Sequence, residues 1–358
     1  MTVVLAGGSG TRLWPRSRAR EPKHLGPLAP DGRSLLRHAY ERADRLGGEV
    51  LVVTAEDQAE RVLAELPELG RERLLREPQP RGTGPALAWA ALAAQELHRD
   101  PVLVSLHADH FMPDVDATTF ALLSAALWAS RAEVLVALGV EPRYASAGFG
   151  YVKSGPELAR PRGLESALPL RQGLGFVEKP DLQRAAEMVQ AGGYLWNTGL
   201  FAWSAALFLA ELERYAPEVA HAVRRATKEP GDQFAAAWGE VPMGVVDRLV
   251  LERSRLVAVL PAPIAWSDLG SFRDLHHAAV AVGGADGEGN VVRGEALLLD
   301  SRGSYVDSAS GRLVVLLGGE ELVVVDTEDV VLVCPLARAQ EVNQVVAALR
   351  QRGRSQLL

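Results

Sequence analysis

Through its first two-thirds the chain alternates short valine- and leucine-rich runs with longer segments whose apolar residues recur at helical spacing, and this alternation restricts the fold more than any other feature. Strands are expected at residues 2–6, 50–54, 102–106, 134–140 and 175–178. Helices are expected among them at 34–46, 57–66, 83–97 and 117–130, several behind a Ser, Asp or Thr able to cap a first turn. Further helices are expected at 181–190, 204–215, 245–254 and 271–282. Such a succession implies an α/β fold with a mostly parallel sheet, helices on both faces, and ligands at the carboxyl ends of the strands.

The character changes after residue 282. Short segments at 291–292, 296–300, 313–317, 321–326 and 330–334 are broken by Gly, Ser and Asp turns, with no helix among them, and residues 337–350 suit a closing helix. The stretch 283–289, Gly-Gly-Ala-Asp-Gly-Glu-Gly, reads as a linker. A chain of 358 residues exceeds what one core usually organises. Two domains are therefore expected, a large one at 1–282 and a small all-β one with its closing helix at 283–358.

A formal net charge of -7 argues against a nucleic-acid partner, because duplex binding is driven by basic surface. Any phosphate must then be held locally. The single cysteine, Cys334, allows no intrachain disulfide, and no His/Cys cluster has zinc-ligand spacing. Only Val3 to Ala6 precede the first glycine turn, too short a stretch for a signal peptide, and no run approaches the roughly 20 apolar residues of a membrane span. A cytoplasmic protein with no membrane partner is expected. Lysine is scarce: Lys23, Lys153, Lys179 and Lys228 are the four among 38 basic residues. Asparagine occurs only at 197, 290 and 343. A chain so biased towards arginine keeps lysine where a compact ammonium does what a guanidinium fork cannot.

The strongest chemical signal is the first turn, where strand 2–6 runs into Gly7-Gly8-Ser9-Gly10-Thr11-Arg12-Leu13-Trp14-Pro15, with Pro22-Lys23 following. Glycines straight off a strand let backbone N–H groups approach a phosphate chain. Neither standard nucleotide loop is present: no Gly-Lys-Ser/Thr ends the turn, and Leu13 stands where a dinucleotide pattern has its third glycine. Arg12 and Lys23 are the cations expected to stabilise charge accumulating on phosphoryl oxygens and on a leaving pyrophosphate. Asp109, at the carboxyl end of strand 102–106, and Asp268, in Trp266-Ser267-Asp268-Leu269-Gly270, suit Mg²⁺ if the fold brings them together.

Glu178-Lys179, stopped by Pro180, offers an acceptor for sugar hydroxyls beside a cation for a sugar phosphate. Trp196-Asn197-Thr198-Gly199 carries a rare amide with the same potential, and an ordinary turn is its plain alternative. Arg81-Gly82-Thr83-Gly84-Pro85 leaves room for a flat base before helix 83–97, or simply caps it at Thr83. Trp89 and Trp128 are read as core, His276 and His277 as surface helix positions, and Cys334 as a buried small hydrophobe.

Taken in order, Gly7 to Pro15, Ser17-Arg18, Pro22-Lys23, Glu77-Pro78 with Arg81 and Thr83, Ala108-Asp109-His110, Phe176 to Pro180, Trp196-Asn197 and Trp266 to Gly270 resemble the mannose 1-phosphate guanylyltransferases, also called GDP-mannose pyrophosphorylases. The resemblance implies a Rossmann-like domain and a small C-terminal β domain, often a short left-handed β-helix. It implies GTP and mannose 1-phosphate as partners and Mg²⁺ at Asp109 and Asp268. Phosphate contacts would come from Arg12 and Lys23, and nucleotide contacts from Leu5, Ala6, Gly7, Gly8, Gly10, Thr11, Glu77, Arg81, Gly82 and Thr83. The sugar phosphate would be held by Gly150, Glu178, Lys179 and Asn197. Relatives with a fused isomerase are longer, so that second activity is not expected, and a homodimer through the β appendage is suggested by analogy only. One departure stands out, because family members commonly have Arg-Asn-Thr-Ala-Pro where this chain has Arg81-Gly82-Thr83-Gly84-Pro85. Another base, another hexose 1-phosphate, or a non-catalytic sugar-nucleotide sensor therefore remain the alternatives.

Overall fold

A computed structural model describes residues 1–8, 11–18 and 20–358. The polypeptide forms two compact units, each of discontinuous segments. One comprises Met1–Gly7, Ala39–Ala108 and Asp114–Trp266; the other comprises Gly8–His38, Asp109–Pro113 and Ser267–Leu358.

The first unit is organised by a nine-stranded sheet among the described residues. Its strands are β1 (Thr2–Ala6), β2 (Val50–Ala55), β3 (Leu74–Glu77), β4 (Val102–His107), β5 (Leu135–Val140), β6 (Gly150–Glu157), β7 (Arg171–Val177), β8 (Tyr194–Ser204) and β9 (Val257–Pro261), in the order β3-β2-β1-β4-β8-β5-β9-β7-β6. From β3 to β4 the ladders are parallel, joined through helices Leu35–Asp44, Ala59–Glu65 and Thr83–Leu97. The unbroken apolar runs of β1, β2 and β5 follow from this, since every residue in them is buried, as strands covered on both faces require.

Strand β8 runs antiparallel between β4 and β5 and also pairs with β6. Asn197 on β8 therefore stands opposite Gly139 on one side and Gly150 on the other. Trp203, further along the same strand, stacks on Phe201 and Phe208 at 5.1 and 4.7 Å within the main apolar core. Each such ring removes enough apolar area from water to contribute on the order of 5 kcal/mol before ordering costs. Trp89 packs against this core, and Trp128 is fully buried with its indole N–H donated to Leu168 O at 2.8 Å.

In the second unit β10 (Val291–Arg293), β12 (Tyr305–Ser308) and β14 (Leu322–Asp326) stack in parallel, with β15 (Val331–Pro335) antiparallel at the edge. A second parallel pair, β11 (Ala296–Leu299) and β13 (Val314–Leu317), forms the other face of this coil. Its core includes Leu13, Trp14, Leu28, Phe272, Tyr305 and Val342, so the apolar half of the glycine signature is structural. His276, expected at the surface, is buried with Nε2 2.9 Å from Gly289 O, because its helix turns this face to the β coil. Cys334 is only half-buried, alternating on an edge strand.

Polar contacts clasp the segment after the signature. Arg293 donates to the carbonyls of Pro27, Leu28 and Ala29, while the buried carboxylate of Asp307 lies 3.0 Å from Arg16 Nε and 4.0 Å from Arg293 Nε. Arg18 grips Asp329 with both ends of its fork, at 2.7 and 2.5 Å. Burial pushes the Asp307 carboxyl above its usual range, and the two arginines pull it back. Asp307→Ala removes the carboxylate facing Arg16, while Arg293 keeps its three carbonyl acceptors. It is expected to destabilise this unit by about 3 kcal/mol, read as a lower urea midpoint of the whole chain, whereas Glu320→Ala, which breaks the exposed Arg302–Glu320 pair, should cost well under about 1 kcal/mol.

Candidate active site

In the second unit the structure brings together the expected cations and carboxylates. Lys23 is buried, and its ammonium donates to Asp109 Oδ2 at 2.8 Å and to the backbone carbonyl of Asp268. Two backbone hydrogen bonds between Phe111 and Ser267, at 2.9 and 3.0 Å, hold the Asp109 and Asp268 segments side by side. Asp268 caps its own turn by accepting from Gly270 N at 3.1 Å, with Leu269 between them at a left-handed φ of 45°. Non-glycine residues in that region carry strain and concentrate where side chains must be aimed. Arg12 NH2 lies 3.9 Å from Asp268 Oδ2, and its other end donates to Gln340 at 3.3 Å. Burial holds the Asp268 carboxyl above the usual range, opposed by Lys23 and Arg12 and reinforced by the negative charge of Asp274 and Asp109. Gly8 is exposed, with nothing within 4 Å of where a side chain would begin. Thr11 opens a short 3₁₀ turn, and Gly10 lies outside the described residues.

In the first unit β1 ends at Leu5 and Ala6. The Leu5 carbonyl accepts from Ala108 N at 2.9 Å, and that of Ala6 from Thr54 Oγ1 at 2.8 Å. Gly7 follows, exposed and as open as Gly8. Glu77 ends β3, buried, its carboxyl pushed up to about 7 by desolvation although Arg81 N donates to it at 3.3 Å. Arg81 donates to Gln79 at 3.1 Å and to Gly239 O.

Gly82 has φ 95° and ψ 172°, and a Cβ there would lie 2.5 Å from Gly244 O. The departure from the family spelling is thus built into the backbone, since no side chain fits that close approach. Gly82 is itself the N-cap, while Thr83 opens the helix and its Oγ1 accepts from Val246 N at 3.0 Å, so the plain capping reading of Thr83 does not hold.

The four expected sugar-phosphate residues converge in this unit. A Cβ on Gly150 would meet Glu178 Oε2 at 2.6 Å and Asn197 Cβ at 3.3 Å, so the glycine is what lets these side chains close together. Lys179, at a left-handed φ of 48°, places Nζ 2.9 Å from Glu178 Oε1. The Trp196-Asn197 motif is strand, with Trp196 edge-on to Tyr144 and Phe149.

One member of this group was not anticipated. Asp247, at the start of a π-helical turn Asp247–Leu251, accepts from Asn197 Nδ2 at 2.8 Å. Burial first, and the nearby Glu178 charge second, push its carboxyl up to about 7. Its one sequence signal is an acid set among valines in a segment expected to be plain helix.

A glycine turn off a parallel strand, a buried lysine between two carboxylate-bearing loops and, in the other unit, a cluster of acid, amide and amine are features of a nucleotide-handling transferase of the α/β class. Residues 1–283 match the nucleotidyl transferase family, and residues 294–349 match the MannoseP isomerase/GMP-like beta-helix domain. The chain belongs to the nucleotidyl transferase family. It is 35% identical to the xanthan biosynthesis protein XanB of Xanthomonas campestris, over 99% of this chain and 74% of that protein. It is 36% identical to the mannose-1-phosphate guanylyltransferase of Escherichia coli, over 98% and 74% respectively. A Thermus thermophilus crystal structure described as a mannose-1-phosphate geranyltransferase aligns with a TM-score of 0.83 at 32% identity, covering 98% of both chains.

Two outcomes follow from the loop at 77–83. Restoring the family's amide with Gly82→Asn is expected to lower stability by about 1–3 kcal/mol, seen as a lower melting temperature, because the new Cβ meets Gly244 O. A carboxyl raised above its unfolded value binds a proton in the folded state that the unfolded chain has lost. Glu77 accordingly contributes stability below about pH 4.5 that is lost as pH rises through about 7. Glu77→Gln should therefore flatten the fall in melting temperature between pH 5 and 8, and an unchanged slope would show that Glu77 carries none of it.

Proposed function

We propose that this chain transfers GMP from GTP to mannose 1-phosphate, forming GDP-mannose and pyrophosphate. The observation that carries the reading is the meeting of Glu178 and Asn197 over Gly150, with Lys179 paired to Glu178, in a chain that matches a mannose-1-phosphate guanylyltransferase along 98% of its length. A phosphate oxygen of the sugar phosphate attacks the α-phosphorus of GTP; that P–O bond forms, the α–β bridging P–O bond breaks, and the electron pair leaves with pyrophosphate. The attacking monoester is mostly dianionic at neutral pH, its second pKa being about 6, so no general base is required.

Catalysis then rests on orientation and charge. Lys23 and Arg12 counter charge on the phosphoryl oxygens and the departing pyrophosphate. The β1 terminus at Leu5 and Ala6, with Gly7, Gly8 and Thr11, leads the backbone towards the triphosphate, and Glu77, Arg81, Gly82 and Thr83 border the base. Lys179 neutralises the sugar phosphate while Glu178 and Asn197 meet the hydroxyls.

The carboxylates of Asp109 and Asp268 fit a small hard cation. They are oxygen donors on bridged loops, and burial leaves Asp268 short of positive charge. Mg²⁺ held there would neutralise phosphate charge and help fix the reacting oxygens. A GTP-dependent reaction and a single half-buried thiol accord with a cytoplasmic setting.

Pyrophosphate release by the purified protein with Mg²⁺ is expected to be strongest with GTP and mannose 1-phosphate, against ATP, UTP, dTTP and glucose 1-phosphate. Strongest release in another well would keep the chemistry and move the substrate; none in any well, with nucleotide still bound, would favour the sensor. Lys23→Met and Asp109→Asn are each expected to lower kcat by about 10²–10³ in protein that remains folded, a larger loss than the accompanying fall in melting temperature accounts for. Chelation should abolish turnover and Mg²⁺ restore it.

A further inference from the structure

We propose that Asp247 is a positioning residue for sugar-phosphate recognition, fixing the Asn197 amide so that it offers a hydrogen-bond donor beside the acceptor Glu178 to adjacent hydroxyls of the hexose. This rests on the transferase reading above and names the residue that gives its sugar subsite a defined polarity.

The Asn197 amide has two occupied positions. Nδ2 donates to Asp247 Oδ1 at 2.8 Å, and Oδ1 accepts from Gly199 N at 3.1 Å. A half-turn of the amide would set two acceptors face to face at Asp247 and two donors face to face at Gly199. Both are costly in a side chain only 8% exposed. A carboxylate at 247 enforces the observed orientation because, when ionised, it can only accept. The second Nδ2 hydrogen is left as the unspent donor.

Glu178 complements it. Its Oε1 is held by Lys179, and its Oε2 is the atom that would lie 2.6 Å from a Cβ on Gly150, whose space it shares with Asn197. A donor and an acceptor thus stand side by side over one glycine, and neighbouring sugar hydroxyls, each both donor and acceptor, match such a pair.

The backbone carrying Asp247 is itself pinned. Gly244 N donates to Arg81 O at 2.9 Å, Gly244 O accepts from Gly84 N at 3.0 Å, and Val246 N donates to Thr83 Oγ1. The π-helical turn begins at Asp247, a local irregularity that frequently marks functional sites. For stability alone a buried carboxylate bonded to a neutral amide is a poor choice, because desolvation costs more than one such hydrogen bond returns. Orientation of the amide is the gain that offsets it.

The experiment compares the wild-type chain with Asp247→Ala and the near-isosteric Asp247→Asn, measuring pyrophosphate release against hexose 1-phosphate and against GTP separately, with mannose 1-phosphate binding by calorimetry. Asp247→Ala should raise KM and Kd for mannose 1-phosphate by about tenfold, leave KM for GTP within about twofold, and narrow the preference over glucose 1-phosphate by a similar factor. Asp247→Asn, whose own amide can turn either way, should fall between, which keeps the test sound if the alanine variant folds poorly. Equal rises in both KM values, a loss confined to kcat, or unchanged kinetics in the Asn variant would overturn the assignment. A wild type that uses no hexose 1-phosphate would instead overturn the transferase reading, and this inference with it.

Discussion

The ammonium of Lys23 is the contact on which the cluster of cations and carboxylates in the second unit depends. One compact cation, buried, donates to the carboxylate of Asp109 and to the main-chain carbonyl of Asp268, tying together three segments remote in sequence. A guanidinium is planar and forked and suits paired oxygens, whereas an ammonium directs three rotatable donors from a single atom. That difference explains why a chain with 38 basic residues and four lysines keeps one here. The surrounding charge is left incompletely balanced. Arg12 lies 3.9 Å from Asp268, and burial still holds that carboxyl above its usual range. Incomplete compensation is what a site receptive to a further cation needs, since a fully neutralised pair of carboxylates would have little reason to recruit one.

The group around Asn197 solves a different problem, which is space. Strand β8 is inserted antiparallel between β4 and β5, and the register this imposes flanks Asn197 with Gly139 and Gly150. At Gly150 the missing side chain leaves space that Glu178 and Asn197 share, whereas the space beside Gly139 is filled by Leu195 and Val259. Buried acids occur at both ends of this chemistry-bearing stretch: Asp247 beside Asn197 and Glu77 at the end of β3 are each pushed up to about 7 by burial. Such raised carboxyls are poor contributors to stability above neutral pH and cluster where recognition is performed.

Much of this was readable in the sequence, for identifiable reasons. The expected strands at 2–6, 50–54, 102–106 and 134–140 correspond closely to β1, β2, β4 and β5, because strands buried on both faces have no choice but to be apolar throughout. Strand β8 was obscured because Asn197, Thr198 and Gly199 look like a turn, and the strand does bulge there: Gly199 has φ 71°, and the register to β5 shifts between Asn197 and Phe201 before pairing resumes. Residue scarcity pointed to Lys23, Lys179 and Asn197 without any knowledge of the fold. Asp247 could not be found that way, because aspartate is common here and its partner Asn197 is distant in the chain. His276 was misread because a helix's inner face depends on what packs against it, and the β coil that buries this one follows it in sequence.

Within the first unit, the segment from Gly244 to Asp247 links two loops of different chemistry. Its backbone clasps Arg81 and Gly84, its Val246 N–H reaches Thr83, and its final carboxylate holds Asn197. The clasp works only because position 82 has no side chain, a Cβ there being 2.5 Å from Gly244 O. An amide at 82 and a fixed carboxylate at 247 are therefore alternatives in this backbone: the first would displace Gly244, and with it the residues that aim Asp247 at Asn197. The glycine at 82 is then more than a lost base contact. It is a requirement of the local geometry that gives Asn197 its single orientation, so the orientation of that amide is bound by main-chain hydrogen bonds to the shape of the loop beside Glu77.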